Sequence, residues 1–310
     1  MTGRGGKGLA IALLATGMVF AFLLAGHSQR AGATFPGKNG LISFSRTTED
    51  PDGNGFCTSI WSVAASGNGS KRLSGGCSFD DAPSWSADGK RIVFTQDERV
   101  YTMSKRGDDF ERVTKGKKFE GKKFYDNNPS WSPDGRRIMF WRGASGWSRI
   151  FSVRPDGSDL TEIIGKASGL YGIDPVYSPN GEFIAFAGGD ADGKEAIYLI
   201  RPDGSDLRAV TVPGKDVQDP DWSPDGERIV FSGQAGGFEL FSVRPGGTDL
   251  DKLTNNSGDP FGPVYSPDGS RIAFSNSSEL STIPAGGGKP KVVVKRKKKV
   301  FDDAPSWQAK

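Results

Sequence analysis

Apolar and polar residues alternate along this chain in short bursts, and the bursts recur. Ile92-x-Phe94, Ile138-x-Phe140, Ile184-x-Phe186, Ile229-x-Phe231 and Ile272-x-Phe274 each show the two-residue period of a half-buried strand. Ahead of each stands an aromatic residue (Trp85, Trp131, Tyr177, Trp222, Tyr265) and then Ser-Ala-Asp-Gly, Ser-Pro-Asp-Gly or Ser-Pro-Asn-Gly. Pro presets φ at a turn's first corner, Asp or Asn tolerates the second, and Gly takes the left-handed position. The pattern therefore predicts a hairpin between an aromatic strand and the Ile-x-Phe strand. A third strand is expected at residues 60–63, 100–103, 150–153, 197–200 and 240–243. A fourth, such as 160–164 or 207–211, follows an Arg-Pro-Asp-Gly turn. No stretch after residue 33 has a helical period.

The aromatic positions, with Trp307 as the last, are spaced by 42 to 46 residues. That is the period of four-stranded propeller blades. The ends complete the count. The first repeat starts at Gly40-Leu41-Ile42-Ser43-Phe44, a second strand with no aromatic strand before it. The last segment, Asp302-Asp303-Ala304-Pro305-Ser306-Trp307, is an aromatic strand with nothing after it. Joining the two gives a mixed blade that closes the ring and removes two exposed sheet edges. The expected fold is all-β, a six-bladed propeller over residues 34–310.

Residues 1–33 read differently. Arg4 and Lys7 precede an uncharged, largely apolar run over 9–24, and Ala31-Gly32-Ala33 offers a small-x-small cleavage pattern. A signal peptide removed before Thr34 is expected. The alternative is a retained anchor, because residues 8–26 just suffice to span a bilayer. Both readings place the protein outside the cytoplasm, secreted or periplasmic. Cys57 and Cys77, the only cysteines, then predict a single disulfide.

Composition removes several functions. The chain has 40 basic and 37 acidic residues, and Arg4, Lys7 and Arg30 supply the whole excess. A neutral remainder disfavours nucleic acid as a partner. The one histidine, His27, lies in the export segment, so residues 34–310 offer no imidazole for triad chemistry or metal ligation. No cofactor or metal is expected, and no intrinsic catalysis. A carboxylate-only hydrolase or lyase acting on a carbohydrate is the alternative.

The repeated Pro-x-Trp-Ser-Pro-Asp-Gly-x-x-Ile-x-Phe string resembles the WD40-like propeller repeat of TolB-family proteins over nearly all of residues 34–310. TolB itself has an additional N-terminal α/β domain, for which the segment ahead of these repeats leaves no room. The resemblance implies an extracytoplasmic module that binds or scaffolds a protein or peptide at the cell envelope, expected here as a monomer.

Candidate binding residues cluster where the aromatic strands begin. In this fold those strands are innermost, so Asp81, Asp126, Asp174, Asp219, Asp259 and Asp303, with Asp80 and Asp302, are expected at the mouth of the central channel. Converging carboxylates suit a cation or the basic end of a peptide. The bland alternative is that each caps a loop N–H. Asp190-Ala191-Asp192-Gly193-Lys194-Glu195 lacks the full spacing of a calcium loop. Two basic runs lie in outer-to-inner connections on the same face: Lys115, Lys117, Lys118, Lys122 and Lys123, then Lys295, Arg296, Lys297, Lys298 and Lys299. An anionic envelope polymer or lipid headgroup is the ligand they would suit.

Overall fold

Alternation makes strands, and the turn chemistry folds consecutive strands into antiparallel sheets. The computed structural model describes residues 34–310 except 51, 54, 117, 212–215, 256–257, 277–278 and 296–298. The expected leader, residues 1–33, lies outside the described residues. The chain opens with β1 (Asn39–Glu49), β2 (Phe56–Ala64) and β3 (Lys71–Arg72). Blade 2 is β4 (Asp80–Trp85), β5 (Arg91–Gln96), β6 (Arg99–Ser104) and β7 (Glu111–Arg112). Blade 3 is β8 (Tyr125–Trp131), β9 (Ile138–Ala144), β10 (Trp147–Val153) and β11 (Thr161–Ile164). Blade 4 is β12 (Tyr171–Tyr177), β13 (Ile184–Gly189), β14 (Glu195–Ile200) and β15 (Arg208–Ala209). Blade 5 is β16 (Val217–Trp222), β17 (Ile229–Gln234), β18 (Phe238–Val243) and β19 (Asp251–Lys252). Blade 6 is β20 (Pro260–Tyr265), β21 (Arg271–Asn276), β22 (Glu279–Pro284) and β23 (Lys291–Val294).

The last strand, β24 (Val300–Ala309), pairs with β1 and becomes the innermost strand of blade 1, in the order β24-β1-β2-β3. The ring thus closes as the repeat predicts. Each innermost strand packs against the next around a central channel. The outermost strands are mostly two residues long, which leaves little free edge for another chain to pair with.

Each Ser-x-Asp-Gly turn is locked by its own serine. Ser132 Oγ donates to Asp134 Oδ1 (2.6 Å) and accepts the Arg137 N–H (2.9 Å), while the Gly135 N–H bonds the Ser132 carbonyl. Ser86, Ser178, Ser223 and Ser266 repeat this arrangement. The aromatic residues and the second-strand phenylalanines are buried between blades, with Trp85, Trp307, Phe44, Phe94, Phe140, Phe186 and Phe274 fully enclosed. The Cys57–Cys77 disulfide forms, joining the start of β2 to the connection before β4.

One regular feature departs from a flat strand. The residue before each inner-strand proline has positive φ: Ala82, Asn128, Asp174, Asp219, Gly262 and Ala304, at 49° to 56°. Strand register slips at each of these points. These six β-bulges form a ring around the channel, and Asn, Asp and Gly fill the conformation at least cost.

Candidate functional site

The bulge sorts the inner-strand residues into three layers. Two positions ahead of the proline's neighbour, the side chain faces the second strand of its own blade. There Asp126 takes a bidentate pair from Arg142 (2.6 and 3.0 Å), and Asp302 takes one from Arg46 (2.5 and 2.8 Å). Asp80 at the same position accepts from Gln96 (2.7 Å) and Ser78 (2.7 Å). In each case the partner is the residue directly opposite in the ladder. Burial, foremost, raises the Asp80 pKa, against the pull of these hydrogen bonds.

One residue further on, Asp303, Asp81, Asn127, Ile173, Gln218 and Phe261 are half-buried, one per blade. This is the ring that solvent reaches. Asp81 accepts from Ser45 Oγ (2.6 Å) and its neighbour's N–H on Ala82 (2.7 Å). Asp303 accepts the Ala304 N–H (2.7 Å). Burial pushes the Asp303 carboxyl well above the usual range, and the charges of Asp81 and Asp219 add to the rise. Asp219 belongs to blade 5 and Asp303 to blade 1, so the two sense each other across the ring.

The bulge residues form the buried layer beneath. Asn128 Nδ2 donates to Asp174 Oδ1 (2.5 Å), and Asp219 Oδ2 accepts the Gly262 N–H (3.1 Å). Burial first, and the neighbouring Asp219 second, hold the Asp174 pKa well above the carboxylate range. Four acids therefore converge, Asp81 and Asp303 at the wall with Asp174 and Asp219 below. A bound cation would relieve their mutual repulsion.

Four residues expected at the mouth sit elsewhere: Asp80 and Asp302 are buried against Gln96 and Arg46 of their own blades, and Asp126 and Asp259 also depart from the expectation. Asp126 is fully buried, with both oxygens held by Arg142. Asp259 lies at the exposed rim of blade 6, where it caps the Phe238 N–H of blade 5 (2.9 Å). Asp190 caps the N–H groups of Asp192 (2.9 Å) and Lys194 (3.0 Å), as a turn residue does. Asp50, Cys57 and Cys77 lie close together, but the disulfide occupies both sulfurs. Lys118, Lys122, Lys123 and Lys295 are exposed, Lys122 donating to the Ser145 carbonyl (3.2 Å), and Lys299 pairs with Glu49 (2.5 Å). Lys117, Arg296, Lys297 and Lys298 lie outside the described residues. Glu195, the last residue of the 190–195 segment, turns instead to Tyr171, whose hydroxyl donates to it, and burial raises its pKa.

The model of the TolB beta propeller domain matches residues 116–308. The chain belongs to the TolB β-propeller domain family. No curated protein matches the sequence. Among solved structures, TolB from Acinetobacter baumannii is similar at 19% identity and a TM-score of 0.72, over 87% of this chain and 67% of that one. A putative TolB from Agrobacterium tumefaciens is similar at 20% identity and 0.67, over 85% and 98%. An oligogalacturonate lyase from Vibrio parahaemolyticus is similar at 15% identity and 0.57, over 87% and 78%. At such identities the likeness is one of fold, shared by TolB propellers and a lyase alike.

Proposed function

We propose that this TolB-type propeller is an extracytoplasmic binding module that holds a basic peptide segment of an envelope protein at its channel mouth and performs no chemistry of its own. The convergence of Asp81 and Asp303 at the solvent-reached wall, above Asp174 and Asp219, supports the reading. A lysine, arginine or terminal ammonium entering there meets carboxylates that otherwise repel one another. The family resemblance supports a binding role, and the lack of histidine in residues 34–310 argues against the commonest catalytic constellations.

The test is affinity capture from native envelope extract with residues 34–310, which contain every described strand of the closed ring. A second bait carries Asp81→Asn, Asp174→Asn, Asp219→Asn and Asp303→Asn. A protein held by the first bait and released from the second is the expected result. Equal retention by both overturns the mouth as the site. Turnover of an envelope glycan, abolished by one of these changes, overturns the non-catalytic reading.

A further inference from the structure

We infer that three exposed phenylalanines above Asp81 and Asp303 form the apolar half of the peptide site, which selects an extended segment bearing a lysine or arginine two residues from a bulky apolar one. This selectivity rests on the mouth holding a basic peptide, as proposed above, and adds the chemistry of the segment. Phe301 stands two residues before Asp303 on β24. Phe79 stands two residues before Asp81 and extends β4, its carbonyl accepting the Asp97 N–H (3.2 Å). Residues two apart on a strand point to the same side, about 7 Å from each other. Each of the two wall acids therefore has a phenylalanine one step above it.

Strand register joins these rings into one row. Phe301 stands opposite Thr47, Thr47 opposite Thr58, and Thr58 beside Phe79. Opposed residues share a sheet face, and Phe56, two before Thr58, lies on it as well. One step down, Ser45 stands opposite Asp303, and its Oγ donates to Asp81 (2.6 Å). The segment carrying Phe79 thus returns across this face toward β1, and rings and acids share one gap between blades 1 and 2. Phe56, Phe79 and Phe301 are 48%, 60% and 43% exposed. The Cys57–Cys77 bridge ties the segment carrying Phe79 to β2. The other large exposed side chains do not gather in this way. Phe110, Leu160, Leu207 and Leu250 stand one per blade near the turns between third and fourth strands, on the opposite face, and Val292 lies on an outer strand.

The charge beside the row suits a cation. Asp97 and Glu98, both exposed, make the turn next to Phe79, and Asp97 Oδ1 accepts the Phe79 N–H (3.2 Å). Asp50 and Asp52 follow the end of β1, where Glu49 pairs with Lys299 (2.5 Å). An anionic ligand would meet these acids at close range. A wholly apolar one would cover the rings but strip water from Asp81 and Asp303 without replacing it. A segment carrying both groups removes the rings from water and brings a counter-charge to the acids. In an extended peptide, side chains two apart also share a side at about 7 Å, the spacing of each Phe–Asp pair. Side chains three apart point to opposite sides.

The test is selection of random octapeptides on residues 34–310, followed by fluorescence anisotropy of a labelled peptide from that selection. The retained peptides should carry Lys or Arg two positions from Leu, Ile, Phe or Trp. Phe56→Ser, Phe79→Ser and Phe301→Ser together should weaken binding by about tenfold or more, from partial burial of the rings. Exchanging the peptide's apolar residue for serine should cost as much, and the two changes together little more, because they remove one contact. An unchanged melting temperature would show that the triple variant is folded, and the peptide-side change reads the same contact on the parent protein. Asp81→Asn with Asp303→Asn should weaken the parent peptide but not one whose basic residue is replaced by glutamine. Basic peptides that bind the triple variant as well as the parent overturn the inference and leave the basic-peptide reading of the mouth standing. Peptides that need the rings but tolerate the two Asp→Asn changes overturn both. Retention of no peptide overturns the inference, and envelope capture then decides the reading of the mouth by itself. Dimerisation abolished by the triple change would assign the row to a second copy of this chain instead.

Discussion

Replacing Asp126 by asparagine separates structural from functional acids. Asp126 and Arg142 are side chains 0% and 4% exposed, joined by two hydrogen bonds. The guanidinium also lies 4.0 Å from the Phe124 ring centre and within 5.5 Å of Phe119, Phe140 and Phe151. Asp126→Asn keeps the shape but leaves that cation buried without a counter-charge, a loss of about 3–5 kcal/mol. The rings keep attracting the cation, worth ~1–2 kcal/mol, so the lower end of the range is expected. For the 277 residues of the propeller, an unfolding entropy near 2.1 cal/mol/K per residue makes each degree worth roughly 0.6 kcal/mol. The melting temperature should therefore fall by about 5 °C, read by circular dichroism at neutral pH. Adding Arg142→Met removes the stranded charge and should recover most of the loss, to within about 2 kcal/mol of the parent. The partner captured by the parent should still bind the Asp126→Asn protein below its melting temperature. A shift under about 1 °C, or a double variant as unstable as the single one, would refute the account of this acid as a fold element.

The remaining expectations concern the mouth, the staple and the closure. Asp174 and Asp303 hold their protons more tightly folded than unfolded. Their contribution thus favours the fold below about pH 4 and is lost as pH rises through the higher folded-state values. Asp174→Asn should raise stability at neutral pH and flatten the pH dependence of urea unfolding above pH 4; a steeper dependence would contradict this. Reducing the Cys57–Cys77 bridge, or changing both residues to serine, should cost roughly 3 kcal/mol for a loop of about 20 residues, measured by guanidinium unfolding with and without reductant. Ending the chain at residue 299 removes β24 and the buried Trp307. It should abolish cooperative unfolding, and a sharp calorimetric transition in that protein would refute closure as a condition of the fold.

The fold was legible because its signals are local and repeated. Alternation around Ile-x-Phe, the Ser-Pro-Asp-Gly corners and a near-constant period determine strands, hairpins and blade number. The unmatched segments around Phe44 and Trp307 determine the closure. The candidate site was legible only as a neighbourhood. Reading Asp81, Asp126, Asp174, Asp219, Asp259 and Asp303 as one set treats residues before the aromatic strand as equivalent, yet successive side chains on a strand point to opposite sides. A one-residue difference sends Asp126 into an ion pair and Asp303 to the channel wall, and the bulge turns Asp174 and Asp219 into a buried layer. The missing signal was present two residues after each second-strand phenylalanine. Arg46, Gln96 and Arg142 stand there in the blades whose inner strands carry Asp302, Asp80 and Asp126. In blades 4 and 5, Gly188 and Gly233 occupy that position opposite Gly172 and Val217, where no acid needs a partner. An acid matched by its own cross-strand donor belongs to the fold. Asp81 and Asp303 stand opposite Thr95 and Ser45 in their ladders, so no guanidinium or amide on the second strand marks them in the same way.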